Sequence, residues 1–271
     1  MRMDNYMEKE IDKLLEVLAE YKRLDIANQI DYQKFYLYSL ITHSTAIEGS
    51  TVTELENQLL FDDGIPASGK PMVEQLMNLD LKWAYEQAMR WAREHKALSV
   101  EMLKSLSALV MRNTGSVYST LAGEFDSSQG DLRLVNMTAG AGGRSYMNFQ
   151  KVPVRLQEFC EVVNERREAL LQAPDDAEAY LLSFDAHNRL VSIHPWVDGN
   201  GRMSRLIMNY IQFEFGLVPS KVMQADKAAY IQALIDSREE ESMEPFRRFM
   251  LQEHIRNLQS EIAAYRESME R

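Results

Sequence analysis

Two helix-patterned segments flank one short loop, and that loop constrains the fold more than any other stretch. Residues 177–193 carry apolar side chains at Ala179, Leu182, Phe184 and Leu190. Residues 202–215 carry them at Leu206, Ile207, Tyr210 and Ile211. Both spacings are helical, with one buried face. Pro195 ends the first segment, because a residue before proline is pushed out of helical geometry. His194 is therefore expected at a helix end, its imidazole projecting into a cleft. Gly199-Asn200-Gly201 tolerates the left-handed conformations that line N–H groups into an anion-binding nest. The nest lies at the start of the second helix, whose free N–H groups and dipole favour phosphate. Arg202 and Arg205 share one face of its first turn. Cations there oppose the dipole, a conflict that an anion bound between them removes. Asp198 precedes the nest, and a lone carboxylate beside a polyphosphate suits Mg²⁺. The plain alternative is a polar helix–turn–helix corner with capping groups. The ordered grouping of ring, acid, nest and arginines favours a nucleotide phosphate and a metal.

The remaining chain supplies the frame. With 12 Gly, 7 Pro and 16 Met among 271 residues, 45% of them hydrophobic, the composition fits an all-α protein with a full core. A net charge of −11 offers no basic field for nucleic acid. Cys160, the single cysteine, lies on an apolar helix face and reads as a buried, inert thiol. The N-terminus does not read as a signal peptide and no apolar run reaches membrane-spanning length, so a cytoplasmic protein with no membrane partner is expected.

Helices are expected over residues 7–21, 26–47 and 73–94, with shorter ones from capping residues at Thr53 and Ser99. Gly49 reads as the cap that ends the second of them. Glu48 just before it faces the negative end of the helix dipole, and on local grounds is a solvated acid. Residues 113–150 break the helical pattern. Leu132–Met137 and Arg144–Phe149 read as two strands around a glycine-rich tip at 139–143. Further helices are expected from Pro153, from Asp175, from Asp226 and from Pro245 onward. His187, seven residues before His194, reads as a packed structural histidine. The two do not read as a zinc pair, which favours a four-residue spacing and a third ligand.

His194-Pro195-Trp196-Val197-Asp198-Gly199-Asn200-Gly201-Arg202-Met203-Ser204-Arg205 resembles the signature of the Fic family, with Trp196 replacing a usual phenylalanine. The resemblance covers roughly residues 41–249. It implies a Fic-type helical bundle with a small β-hairpin flap, and transfer of AMP from ATP to a Ser, Thr or Tyr hydroxyl of a protein. His194 would be the general base and Asp198 the Mg²⁺ ligand. Gly199, Asn200 and Gly201 would cradle the α- and β-phosphates, with Arg202 on the β- and Arg205 on the γ-phosphate.

Ser44-x-x-x-Glu48-Gly49 resembles the inhibitory motif of members with an N-terminal regulatory helix, here about 26–49. It implies a Glu48–Arg205 pair that blocks the γ-phosphate site. In some relatives the same glutamate positions water for AMP removal, so removal is an expected second activity. The flap would span about 131–150. Val135, Asn136 and Met137, with Ser145, Tyr146, Met147 and Asn148, would be the edges that dock a target strand. Tyr230 would approach the nucleotide base, although Ile231 and Arg238 stand where relatives often carry tyrosine and asparagine.

The implied organisation is an N-terminal helical region over 1–112, a catalytic core over 113–250 and a C-terminal helix over 251–271. Self-modification and a homodimer through the N-terminal helices are further expectations. Transfer of UMP, phosphate or phosphocholine is the alternative within the fold; Arg205 and Asp198 argue against the choline group. A non-catalytic nucleotide-binding module is the alternative outside it.

Overall fold

The computed structural model describes residues 5–139 and 144–270. Ten α-helices carry the fold among them: α1 Asn5–Arg23, α2 Tyr32–Ile47, α3 Glu54–Asp63, α4 Met72–Arg93, α5 Val100–Val110, α6 Val152–Gln172, α7 Asp176–Ile193, α8 Asn200–Glu214, α9 Lys227–Glu239 and α10 Glu244–Met269. The centre is the antiparallel pair α7 and α8, joined by the motif loop. α4 and α5 cover one side of α8, α6 and α10 flank α7, and α1 lies along α10. α10 runs unbroken through positions 250 and 251. One apolar core extends from Met7 to Ile262 and includes Phe184, Leu190, Trp196, Leu206 and Tyr210. No described helix is long and apolar enough to cross a membrane.

Local chemistry sets most helix ends. Thr53 and Glu56 form the reciprocal capping box of α3. Ser99 and Asp175 each accept an N–H from the residue three positions on. Gly49 follows α2 with a φ of 106°. The single helix expected over 26–47 is instead two pieces, a 3₁₀ turn at Ile26–Asn28 and then α2. Asp25 and Asp31 flank the break in the left-handed region, which Asp visits more readily than most residues.

The strands also differ from expectation. β1 Val117–Thr120 and β2 Gly123–Asp126 form the two-stranded antiparallel sheet, with Tyr118 stacked on Phe125. Leu132–Met137 and Arg144–Phe149 are not strands. Among the described residues their backbones are joined by a Thr138–Ser145 bridge, with Tyr146 N–H donating to Met137 and Ala139 N–H to Arg144. Arg133 takes the carbonyls of Val135 and Met147, and Asn136 takes the N–H of Phe149. Side chains thus consume groups that a longer ladder would need. The glycine-rich tip at 140–143 lies outside the described residues.

Candidate active site

α7 ends at His194, which takes a left-handed conformation (φ 53°, ψ 62°) while its N–H still donates to Leu190. This non-glycine strain turns the chain sharply into Pro195. Trp196 anchors the loop as expected: it is fully buried and its indole N–H donates to Gly130. Asn200 has a part that the sequence did not reveal. Its Oδ1 accepts the Trp196 N–H and its Nδ2 donates to the Trp196 carbonyl. The Asn200 side chain therefore closes the loop, which leaves its backbone N–H as the group it can offer an anion.

α8 begins at Asn200 rather than Arg202, with Gly199 as its left-handed N-cap (φ 80°). The expected nest is thus one left-handed glycine plus the first helical turn, where N–H groups lack intrahelical acceptors. Gly201 permits the close approach: a Cβ there would lie 2.5 Å from Glu48 Oε1, so the carboxylate would have to move. The Glu48 carboxylate thus rests against the start of α8, the place a helix offers an anion.

Arg205 meets it. Its NH2 lies 2.5 Å from Glu48 Oε1 and 3.0 Å from the Ser44 carbonyl; its Nε donates to Ser44 Oγ at 2.8 Å. Burial raises the Glu48 pKa, but the charge and hydrogen bond of Arg205 outweigh it and hold the carboxyl below its ordinary value. Arg202 is buried, donates to the Val110 carbonyl at 3.3 Å and lies 3.5 Å from Asp198. Asp198 is 64% exposed at its side chain, one oxygen accepting the Gly199 N–H and the other held only by that long contact.

Residues 97–212, from the start of α5 through most of α8, match the Fic/DOC family model. This stretch is a Fic/DOC-family domain. Protein adenylyltransferase fic-1 of Caenorhabditis briggsae is 22% identical over 270 residues, 98% of this chain and 49% of that protein. Protein adenylyltransferase Fic of Drosophila persimilis is 28% identical over 213 residues, 78% of this chain and 38% of that protein. The chain thus spans half or less of the curated relatives it matches. A Fic-domain signalling protein of Bacteroides thetaiotaomicron has the same fold, with a TM-score of 0.77 at 18% identity over 94% of this chain and 98% of that one.

In this Fic domain His194 is half-buried. Its Nδ1 lies 3.4 Å from the Val191 carbonyl, a long contact that favours the tautomer with Nε2 unprotonated. Burial, with help from the Arg133 charge, lowers its pKa to about 4. Its imidazole is therefore neutral at pH 7. The Tyr146 ring stacks on it at 3.7 Å between centroids and 11° between planes. Of the expected flap edges, Val135, Asn136, Ser145 and Asn148 are exposed, and Met137, Tyr146 and Met147 are partly covered.

Tyr230 is placed differently from a base contact. It is buried, its hydroxyl accepting from Arg205 NH1 at 3.2 Å and meeting His187 Nε2 at 3.0 Å. His187 itself is buried against Phe246, the packed histidine that was expected, with its pKa well below normal because of burial. Tyr230 and His187 thus support Arg205 from behind. Arg133 was missed altogether. It is 1% exposed and joins His194 to the 131–150 segment.

Proposed function

We propose that this chain is an autoinhibited protein adenylyltransferase that moves AMP from Mg-ATP to a Ser, Thr or Tyr hydroxyl of a target protein. One observation carries the reading: the Glu48 carboxylate lies on the first turn of α8, paired with Arg205, beside a neutral His194. The names of the matching relatives support it.

In this reading His194 Nε2 takes the proton of the target hydroxyl, and the oxygen attacks the α-phosphorus. The bond to the bridging oxygen breaks and pyrophosphate leaves. The N–H groups at the start of α8, with Arg202, hold the phosphates, and Arg205 receives the γ-phosphate once Glu48 withdraws. Asp198 suits one-carboxylate binding of Mg²⁺, being exposed and loosely held. The ion, when bound, neutralises phosphate charge. Exposed edges at 135–138 and 145–148 dock the target as an added strand. With Glu48 in place the γ-phosphate is excluded, and the same carboxylate is available to orient water for AMP removal. Residues 1–112 then form the regulatory part and 113–250 the catalytic core.

The test is label transfer from α-³²P-ATP with Mg²⁺ by Glu48→Gly, with cell lysate supplied. Label on protein that disappears in Glu48→Gly/His194→Ala supports the reading. ATP binding without labelled protein would favour a nucleotide sensor.

A second reading, a donor other than ATP, rests on Arg238. It lines a cleft of about 460 Å³ with Tyr146, Ile231, Leu234 and Ile235, and its buried Nε has no partner among the described residues. A guanidinium donates only, which suits the adjacent O6 and N7 acceptors of guanine better than adenine's amino edge. Faster labelling from GTP than from ATP, reversed by Arg238→Asn, would favour it.

A further inference from the structure

Arg133 sits where three segments meet, and each nitrogen of its guanidinium is spent on a different one. Nε donates to the His194 carbonyl at 2.7 Å, NH1 to Val135 at 2.6 Å and NH2 to Met147 at 2.5 Å. Its own backbone N–H donates to Pro195 at 3.0 Å. Val135 and Met147 lie on the outgoing and returning limbs of the 131–150 segment. His194 is the left-handed turn residue at the end of α7. The fork is planar and rigid, so the three carbonyls are held in one fixed relation.

A buried cation is costly unless paired. Among the described residues no carboxylate pairs with Arg133. A neutral donor would fill one of these bonds at less cost. The arrangement is explained if both the fork and the charge have a use.

We propose that Arg133 is the positioning residue that couples the flap to the general base. One guanidinium then sets the target-docking edge and the His194 backbone together. It also keeps Tyr146, next to Met147 on the returning limb, stacked on the imidazole. This rests on the proposed function, in which the flap edge docks the target and His194 takes its proton. The groups that bear on the imidazole are Arg133, Asp198 and Glu48 by charge, the Val191 carbonyl by hydrogen bond and Tyr146 by stacking.

The experiment places Arg133→Lys and Arg133→Met in the full chain carrying Glu48→Gly. Three quantities are read: fluorescent N-methylanthraniloyl-ATP affinity, self-labelling from α-³²P-ATP, and the His194 titration by NMR. Lysine keeps the charge and loses the fork. It is expected to slow labelling by about ten- to a hundredfold, as small misplacements of reacting groups do. Nucleotide affinity should stay within about twofold, since the α8 turn is untouched, and His194 should titrate as in the parent. Methionine loses both features, so His194 should also titrate at higher pH.

Undiminished labelling by Arg133→Lys overturns the proposal, as does a parallel loss of nucleotide affinity, which marks general structural damage. If Arg133→Met does not fold, Arg133→Lys decides alone. If the Glu48→Gly parent labels nothing, the proposed function fails by itself. Coupling is then judged from amide exchange of Arg133→Lys. Ala139 and Tyr146 should lose protection while the His194 signals shift; unchanged exchange rejects it.

Discussion

Two arginine–carboxylate pairs in this molecule use the same groups for different ends. Arg167 on α6 grips Glu214 on α8 with two bonds, Nε to Oε2 at 2.6 Å and NH2 to Oε1 at 2.7 Å. Neither side chain is more than 3% exposed, and Asn164 and the Lys96 carbonyl take further guanidinium donors. Arg205 meets Glu48 through one nitrogen; the arginine side chain is 4% exposed but the glutamate 34%. Both members of the first pair are buried, and the half-exposed His95 also lies 3.3 Å from Glu214 Oε1. In the second, the acid stands at a helix end followed by glycine, with solvent beside it, while the arginine keeps Ser44 and Tyr230 as other partners. Burial at both ends makes an ion pair a fastening. Burial at one end leaves the acid within reach of solvent, as the proposed exchange for another anion requires.

The largest effect that tests this contrast is on stability. Arg167→Met should cost about 3–5 kcal/mol in urea unfolding, because the buried Glu214 loses both guanidinium bonds and keeps only the half-exposed His95 at 3.3 Å. Adding Glu214→Leu should recover most of it. Glu48→Gly should cost less, because removing the partly exposed acid opens Arg205 to water and anions while its bonds to Ser44 and Tyr230 remain; equal losses would erase the distinction. On activity, Glu48→Gly should raise labelling about ten- to a hundredfold, matching a charged hydrogen-bonded pair of roughly 1.5–3 kcal/mol.

The pH dependence follows from the signs of the shifts. The His194 pKa is lowered to about 4 from 6.5, so the base stays neutral on acidification until pH falls through about 4. The kcat/KM of Glu48→Gly, which reports the free enzyme, should keep its rate from pH 7 to 5 and fall near 4. A limb near 6.5 would show a solvated histidine. The Glu48 carboxyl is also held below its ordinary value, so pairing persists through the usual carboxylate range and is lost only at lower pH. The smallest change is Ser44→Ala. It removes the bond that Arg205 Nε donates to Ser44 Oγ and should raise labelling by about two- to tenfold, the worth of one modest hydrogen bond.

The sequence carried the frame well where local chemistry decides it. The α7–loop–α8 unit, the caps at Thr53, Ser99 and Asp175, and the buried Trp196 all follow from spacing and side-chain type. The Glu48–Arg205 contact was legible only through resemblance, since Glu48 alone reads as a solvated acid. The break between Asp25 and Asp31 was hidden, because left-handed aspartates carry no strong local signal. The strand positions were missed because Arg133 and Asn136 take backbone groups from across the segment. Arg133 itself left one trace, a lone arginine inside the apolar run Leu132–Val135; its His194 partner lies 61 residues away. Tyr230 and Asn200 were assigned to the ligand by position, whereas tertiary packing turns their polar atoms toward the protein.

The most direct measurement is label transfer from α-³²P-ATP with Mg²⁺ by the wild-type chain and by Glu48→Gly, side by side. Strong labelling of protein by the variant and weak labelling by the wild type is the predicted result. Equal labelling by the two, with ATP bound equally well, would contradict the claim that Glu48 holds the anion site closed.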